Sequence, residues 1–362
     1  MQAVSLHPEK LSPLEISVWR AILAEEAHLD SPYLTPDWAQ SVGRARSDAR
    51  VVVYYNGSTP FAFLPVQRRN RRSALPLGGP ICDYQAVVCR SSDQVDLKLA
   101  LKALNVDRID FSGALAEGRF LGHKIRTATP GHIVDISNGW EAYAAERRDA
   151  GSQILKRTAK KYRKLQKDHS DVVFEAFTHD NAAFEQLLEW KRDQWRRTNC
   201  PDVFAHDWVK QVVNETNEAV SDNFGGELFT LKVDGELAAV IFCLRANTTL
   251  HAWFVSYNPK FDNYSPGQIC FVETLKAMAE KGFEKLDLGP GDYRFKASLA
   301  NTQRISGCGY VGGVNLSSMA RGMWFNVRKT IENMPVGRVR EWPGKAMRRW
   351  DLMKGIGEAA DA

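Results

Sequence analysis

The sequence contains few residues of the types that build metal centres and disulfide frameworks. Its 362 residues include only six cysteines, which lie far apart without a Cys-x-x-Cys pair, and eight histidines that do not cluster. This pattern argues against a structural zinc site and against a disulfide framework. We therefore expect buried, reduced thiols and no resident metal.

Long apolar runs and extreme compositions are also missing. No segment approaches the ~18 consecutive apolar residues of a membrane-spanning helix, and the N-terminal residues MQAVSLHPEKLSPLE lack the apolar core of a signal peptide. Hydrophobic residues make up 44% of the chain and charged residues 25%, which excludes disordered and fibrous classes. The net charge of +5 is too small to indicate a dedicated nucleic-acid-binding protein. We expect a cytoplasmic, globular protein.

The chain contains an internal repeat. Two hairpin patterns, with turns at Asn56-Gly57 and Asp234-Gly235, carry the signal of a type I′ turn. Asp110 follows Gly57 by 110 − 57 = 53 residues, and Asp287 follows Gly235 by 287 − 235 = 52. Two tryptophans precede each hairpin, Trp19 and Trp38 the first and Trp190 and Trp208 the second. We predict a mixed α/β fold with two copies of one module, each running helix, helix, hairpin, strand, helix, strand.

The segment 250–300 carries the most chemistry. An aromatic strand over 251–257 precedes a helix that is capped by Ser265, opens with Pro266 and ends at Gly282. The unpaired N–H groups and the positive dipole end at residues 265–268 are suited to the pyrophosphate of a cofactor. A buried strand over 285–288 follows, and polar side chains come directly after it, where open α/β sheets bind ligands. These polar candidates are Asp287, Asp292, Tyr293, Arg294 and Lys296.

Three motifs in this segment carry a family resemblance. Together with Tyr257, these motifs resemble the signature of the CelD/BcsL-type acyltransferases: Tyr264-Ser265-Pro266-Gly267, Asp287-Leu288-Gly289-Pro290-Gly291-Asp292-Tyr293 and Phe295-Lys296. Those are GNAT-superfamily proteins associated with bacterial exopolysaccharide synthesis and related to the Fem aminoacyl transferases. The similarity covers about residues 10–315.

The resemblance implies both an architecture and an activity. It implies an N-terminal GNAT-like domain over 1–138, which is degenerate and lies on the acceptor side, and a C-terminal GNAT domain over 139–316 for the acyl donor and catalysis. A basic amphipathic tail over 317–362 follows. The implied activity is N-acyl transfer from acetyl-CoA, or another acyl-CoA, to an amino sugar or sugar-lipid in exopolysaccharide biosynthesis.

The implied mechanism gives each candidate a role. Asp292, or Asp287 in the strand before it, would take the proton of the acceptor amine. Tyr293 or Tyr257 would protonate the departing thiolate, and Lys296 would contact a substrate phosphate or the reacting carbonyl. The implied cofactor-binding residues are Ser265, Pro266, Gly267 and Gln268 for the phosphates, with the backbone of the 251–257 strand, including Phe254 and Val255, for the thioester oxygen.

The two copies differ where the donor would bind. The helix predicted over 92–104 in the first copy opens with Asp93 and Asp96, which repel phosphate, so we place the donor in the second copy. The loops 77–80 and 83–84 of the first copy would then line the acceptor cleft, or would be packed connections.

Two segments are strongly basic. Residues 147–167 hold nine basic residues and one acid, a balance of +8, and form either a solvated helix face or a site for an anionic substrate. In the tail, helices are predicted over 318–331 and 343–353; residues 319–354 hold nine basic and three acidic residues, a balance of +6. Such a tail would bind an anionic inner-membrane surface, dock on the protein through its tryptophans, or bind a phosphorylated regulator such as a cyclic dinucleotide. The basic residues 68–72 would bind such a regulator in the same way.

Two further functions stay open at the level of sequence. One is Fem-like aminoacyl transfer from charged tRNA, which the basic helix over 152–168 favours. The other is a non-catalytic GNAT-like scaffold or sensor whose tail does the binding.

Overall fold

The computed structural model describes residues 1–219, 221, 223–291, 293–332 and 342–357. The chain divides into two compact units, Met1–Thr129 with Ala205–Val212 and Ile305–Ala362, and Pro130–Phe204 with Val213–Arg304. Each unit combines distant segments of the chain. The predicted domain bounds, 1–138, 139–316 and 317–362, stay a prediction.

Helices and strands alternate along both halves of the sequence. In chain order they are β1 (Gln2–Leu6), α1 (Pro13–Glu25), α2 (Pro36–Ala45), β2 (Ala49–Asn56), β3 (Thr59–Arg68), β4 (Ser73–Pro76), β5 (Val88–Cys89), α3 (Leu97–Leu104), β6 (Arg108–Leu115), α4 (Arg119–Gly122), β7 (Ile125–Asp135), α5 (Trp140–Asp149), α6 (Ile154–Asp168), β8 (Val172–Thr178), α7 (Asn181–Arg197), α8 (Asp207–Glu218), β9 (Phe224–Val233), β10 (Glu236–Ala246), β11 (Thr249–Tyr257), α9 (Pro266–Lys281), β12 (Lys285–Pro290), α10 (Arg294–Leu299), β13 (Thr302–Gly312), α11 (Leu316–Glu332) and α12 (Trp342–Ile356).

The first unit is built on strands in the order β1-β2-β3-β4-β6-β13, with β5 beside β3. Neighbours are antiparallel except β4 and β6, which run parallel. Aliphatic and aromatic side chains of β2, β3 and β6 pack against α3, with Tyr54, Leu64 and Phe111 buried. Helix α1 begins with a capping box between Ser12 and Glu15.

The second unit is built on strands in the order β7-β12-β11-β10-β9-β8. Among these described strands, β11 and β12 run parallel and the other neighbours are antiparallel. Helix α9 packs on one face of this sheet, where Ile269, Leu275 and Met278 are buried. The predicted stop is confirmed, because Gly282 caps the helix in the left-handed conformation with a φ of 88°.

The predicted mixed α/β fold and its repeat are confirmed by the order of elements. Helices α1 and α2, hairpin β2–β3, β4, α3 and β6 correspond to α7 and α8, hairpin β9–β10, β11, α9 and β12. The second hairpin has the predicted type I′ turn, since Asp234 and Gly235 both have positive φ. In the first hairpin the loop is Gly57-Ser58 and only Gly57 has positive φ, so the type I′ prediction is wrong there and the pattern matches a type II′ turn.

Two other local predictions need correction. Helix α3 begins at Leu97, later than predicted, because Asp96 caps it by accepting from the Lys98 N–H. All six cysteines are free, but Cys200 is exposed and Cys308 half-buried, so the prediction of buried thiols is wrong for these two. Among the described residues, we find no helix that is long and apolar enough to span a membrane.

Candidate functional site

A wedge opens between β11 and β12 in the second unit. The two strands pair over three positions only, ending with His251 opposite Asp287. Beyond this point β11 continues beside β10 as far as Tyr257, whereas β12 stays with β7, where Pro290 pairs with Gly131. Among the described residues, pairing with β12 therefore stops at His251, and residues 252–257 of β11 border the wedge.

A bulge shapes the β11 side of this wedge. Phe254 pairs with Phe242 and Ala252 with Cys243, so Trp253 is an extra residue in β11. A bulge bends its strand and increases the local twist. Phe254 is itself buried, which leaves its backbone, and that of the half-buried Val255, as the groups for ligand contact.

The N-terminus of α9 offers less for an anion than its sequence suggests. Ser265 is at the N-cap position with a φ of 54°, but its side chain does not cap the helix. The Ser265 N–H donates to Asp262, and the Gln268 N–H donates to the Ser265 carbonyl oxygen at 3.0 Å. Since Pro266 has no N–H, anion binding by this turn among the described residues depends on the Gly267 N–H.

The environment of Gly267 favours a close approach by a ligand. A Cβ added there would meet only the Tyr257 ring, at 3.7 Å. Tyr257 is 44% exposed, so the structure brings two of the predicted site residues together at an open surface. Lys161 of α6 also reaches this turn and donates to the Ser265 hydroxyl. A cation at the positive end of a helix dipole makes the turn a site that attracts negative charge.

Helix α6 is otherwise the solvated basic helix that its composition indicates. Thr158 and Leu165 are its buried residues. Apart from Lys161, its basic residues are exposed; they are Lys156, Arg157, Lys160, Arg163, Lys164 and Lys167.

Two predicted catalytic residues meet just after β12. The Lys296 ammonium donates to the Pro290 carbonyl oxygen at 3.3 Å and lies 5.4 Å from the centre of the Tyr293 ring. Tyr293 is 65% exposed. Phe295 packs on Phe271 of α9, with the ring centres 5.2 Å apart, and this contact holds the turn against α9. Asp292 lies outside the described residues, so its predicted role stays a prediction.

Lys191 of α7 is a candidate that the sequence does not reveal. Its Nζ donates to Gln194 at 2.8 Å and to the Val255 carbonyl oxygen of β11 at 3.4 Å. Burial is the main cause that lowers the pKa of Lys191 to about 8; Cys200 opposes it, and the charge of Lys296 adds a smaller lowering effect. A lysine that titrates near neutral pH beside a candidate site is able to exchange a proton there. Tertiary packing produces this state, and no local motif signals it.

Asp287 is held deep in the sheet. It is 2% exposed, and its carboxylate lies 3.6 Å from both His251 and Arg304. Burial raises the pKa of Asp287, but the hydrogen bond and charge of His251, the charge of Arg304 and the Gly289 N–H together lower it below its usual range. A buried carboxylate that stays ionised is a poor proton acceptor and a good orienting group.

The loops of the first unit that were considered as cleft lining are packed connections. Gly78 lies against the Trp38 ring, Gly79 against the backbone of Gly355 in α12, and Tyr84 is fully buried. Among the described residues there is also no group of three or more histidine, cysteine or acidic side chains that would hold a metal ion.

Comparisons with known proteins identify the class of this domain. Residues 152–297 match the family described as "Acetyltransferase (GNAT) domain". The matched segment includes β11, β12 and α9, together with Lys191 and Lys296. The chain thus contains a GNAT acetyltransferase domain, and it is an acyltransferase of the GNAT type. No curated protein matches the sequence.

Solved structures extend the likeness over most of the chain. FemX is 11% identical, with a TM-score of 0.57, covering 89% of this chain and 99% of FemX. A tandem GNAT protein from the clavulanic acid pathway is 12% identical, with a TM-score of 0.49, covering 87% of this chain and 99% of that one. The C-terminal domain of a putative lysylphosphatidylglycerol synthetase from Agrobacterium fabrum is 14% identical, with a TM-score of 0.49, covering 84% and 93%. At these identities the likeness to FemX shows a shared fold.

Proposed function

We propose that the protein transfers an acyl group from an acyl-CoA, first of all acetyl-CoA, to the amine of an amino sugar or sugar-linked lipid in exopolysaccharide assembly. The wedge between β11 and β12 is the observation that carries the proposal. It places a segment of β11 that lies beyond the pairing with β12 beside Lys191 and Lys296, next to a helix N-terminus that attracts negative charge. The family match at residues 152–297 supports acyl transfer. The CelD/BcsL resemblance supports the sugar acceptor.

The donor would be held along the wedge. The Gly267 N–H and Lys161 would bind its phosphates, and the backbone of 252–257 would receive the thioester oxygen as charge develops on it. The surroundings of Gly267 leave room for this approach, because even an added Cβ would meet only the Tyr257 ring, at 3.7 Å.

The reaction forms a C–N bond and breaks the C–S bond of the thioester. The amine attacks as the neutral species and loses a proton to Asp292, or to Lys191 in its neutral form. Tyr293 or Tyr257, both exposed, would return a proton to the thiolate. Lys296 would bind a phosphate of the acceptor or polarise the carbonyl, and Asp287 would orient β12 from within the sheet.

Calorimetric titration with acetyl-CoA tests the donor site. Gly267→Asp places a carboxylate at the helix N-terminus and is expected to abolish micromolar binding. Gly267→Ala is the matched control, because its Cβ makes an ordinary 3.7 Å contact with Tyr257, and it is expected to retain binding. Equal affinity in the two variants would exclude this turn as the donor site.

Aminoacyl transfer from charged tRNA is the second candidate. The FemX-like fold and the exposed cations of α6 favour it. A protein that binds tRNA through α6 but shows no heat of binding with acetyl-CoA would replace the first proposal with this one. A protein that binds neither would be a GNAT-like scaffold or sensor.

A further inference from the structure

Helix α11 in the first unit is amphipathic, but its apolar face is exposed to solvent and its polar face is buried. Its solvent face carries an apolar stripe at helical spacing, whose members are 44 to 85% exposed: Leu316, Met319, Met323, Trp324 and Val327. Its buried face carries Ser318, Arg321, Phe325 and Arg328. A surface helix normally shows the opposite pattern, so the exposed stripe requires an explanation.

Buried ion pairs fix the orientation of this helix. The Arg321 guanidinium lies 3.1 Å from Asp110 of β6 and 2.7 Å from Asp351 of α12. Arg328 pairs with Glu332 at 2.7 Å. Turning the apolar stripe inward would break these pairs and leave buried charges unpaired, which is strongly unfavourable. The stripe therefore faces outward because of the contacts beneath it.

The end of α12 is held equally firmly. Side chains of the first unit donate to the carbonyl oxygens of its last residues: Gln67 to Gly355 at 3.1 Å, Trp208 to Ile356 at 2.9 Å, and Arg46 and Arg69 to Gly357 at 2.9 and 2.7 Å. Arginines at the C-terminus of a helix satisfy its last carbonyl groups and its dipole. The end of the tail thus docks on the protein through these hydrogen bonds, whereas Trp350 and Met353 are 62 and 55% exposed.

The exposed apolar groups border a basic cavity. Trp324 of α11 and Trp350 of α12 line a cavity of about 1290 Å³, together with Arg69, Arg72 and Lys354. The Lys354 ammonium lies 5.3 Å from the Trp350 ring. Lys329 and Arg349 add exposed positive charge on the same two helices. We call this surface, made of the α11 stripe, Trp350, Met353 and the basic residues around the cavity, the tail surface.

We propose that the tail surface docks on the face of an anionic phospholipid bilayer. Its apolar side chains would enter the boundary between headgroups and acyl chains, and Arg72 and Lys354 would contact lipid phosphates. Exposed Met, Leu and Trp beside clustered cations are the combination by which interfacial helices bind such surfaces. A second copy of the chain is less well matched, because a symmetric contact would bring together two segments that each carry nine basic and three acidic residues over 319–354. This proposal does not depend on the reaction that the second unit catalyses.

Vesicle co-sedimentation of the full-length protein tests the proposal. Binding is expected to vesicles of phosphatidylcholine with about 30% phosphatidylglycerol, to weaken as salt is raised, and to be at least about tenfold weaker on pure phosphatidylcholine. The double variant Met319→Glu, Met323→Glu is expected to lose binding at least about tenfold. Leu14→Glu is the matched control, since Leu14 is 57% exposed on α1 of the same unit.

A second pair of variants tests the charges. Arg72→Glu with Lys354→Glu should remove the preference for anionic vesicles, whereas Lys98→Glu, at an exposed lysine of α3, should not. Unchanged thermal unfolding and gel-filtration behaviour establish that each variant is folded. Unaltered vesicle binding in the Met319/Met323 variant would overturn the proposal. Two other results would also overturn it, each in a wild-type protein that does not bind vesicles. One is a wild-type dimer that the Met319/Met323 variant dissociates. The other is saturable binding of a nucleoside diphosphate that is lost in the Arg72/Lys354 variant.

Discussion

The ammonium group of Lys191 lies 3.4 Å from the carbonyl oxygen of Val255, on the strand that borders the wedge. This contact connects helix α7 with the part of β11 that lies beyond its pairing with β12. It brings a lysine whose pKa is lowered to about 8 to the side of the proposed thioester site. Proton transfer to this group is therefore compatible with turnover near neutral pH.

Replacing Lys191 with methionine should remove a titration from the pH–rate profile. In the wild type, kcat/KM is expected to rise with pH through an apparent pKa near 8, because Lys191 accepts a proton only when its own amine is neutral. In Lys191→Met, kcat/KM above pH 8 should fall at least about tenfold, and the rise should disappear. Steady-state kinetics between pH 6 and about 9.5 measure both effects.

Stability serves as the control for this variant. The folded pKa of Lys191 lies below the ordinary value of 10.5, so the unfolded state binds more protons between these two pH values. Wild-type stability therefore rises with pH across this interval, and Lys191→Met should be more stable than the wild type at pH 7 and not near pH 10.5. Lys210→Met, at an exposed lysine of α8, should change neither profile. An unaltered pH–rate profile in Lys191→Met would remove this lysine from the mechanism.

Lys296→Ala should lower acyl transfer at least about tenfold without unfolding the protein. Its ammonium contacts the Pro290 carbonyl and the Tyr293 ring at the end of β12, where the acceptor is proposed to bind. Asp292→Asn is expected to have an effect of the same size, through loss of the proton acceptor. Lys281→Ala, at the exposed end of α9, is the control. Wild-type turnover in both Lys296→Ala and Asp292→Asn would refute the site.

Local signals made the framework predictable from the sequence. Pro266 and Gly282 mark the ends of α9 because each satisfies a conformational requirement of its own position. The repeated tryptophans and the turn at Asp234-Gly235 likewise identified matching elements in the two copies. These features depend on residues within one turn or one hairpin.

The features that could not be predicted from the sequence depend on contacts between residues far apart in the chain. Ser265 looked like an ordinary helix cap, yet its side chain contacts Lys161, which lies on another helix. Arg321 looked like one of the basic residues of an amphipathic tail, yet it is buried, where it forms an ion pair with Asp110 and donates a hydrogen bond to Asp351. Burial of a charged residue depends on partners brought together by the fold, so periodicity alone does not reveal it.

Asp287→Asn should destabilise the second unit by about 3 kcal/mol at pH 7, because it leaves Arg304 buried without its carboxylate. The folded pKa of Asp287 lies below its usual value, so the stabilisation is present at neutral pH and is lost as the pH falls through the folded pKa. The difference between wild type and variant should therefore shrink below about pH 4. Urea unfolding at pH 7 and in that acidic range measures it, with Asp149→Asn, at an exposed carboxylate of α5, as the control. A variant as stable as the wild type at pH 7 would show that the buried group of Asp287, His251 and Arg304 does not hold β12 in place, and the orienting role proposed for Asp287 would then be wrong.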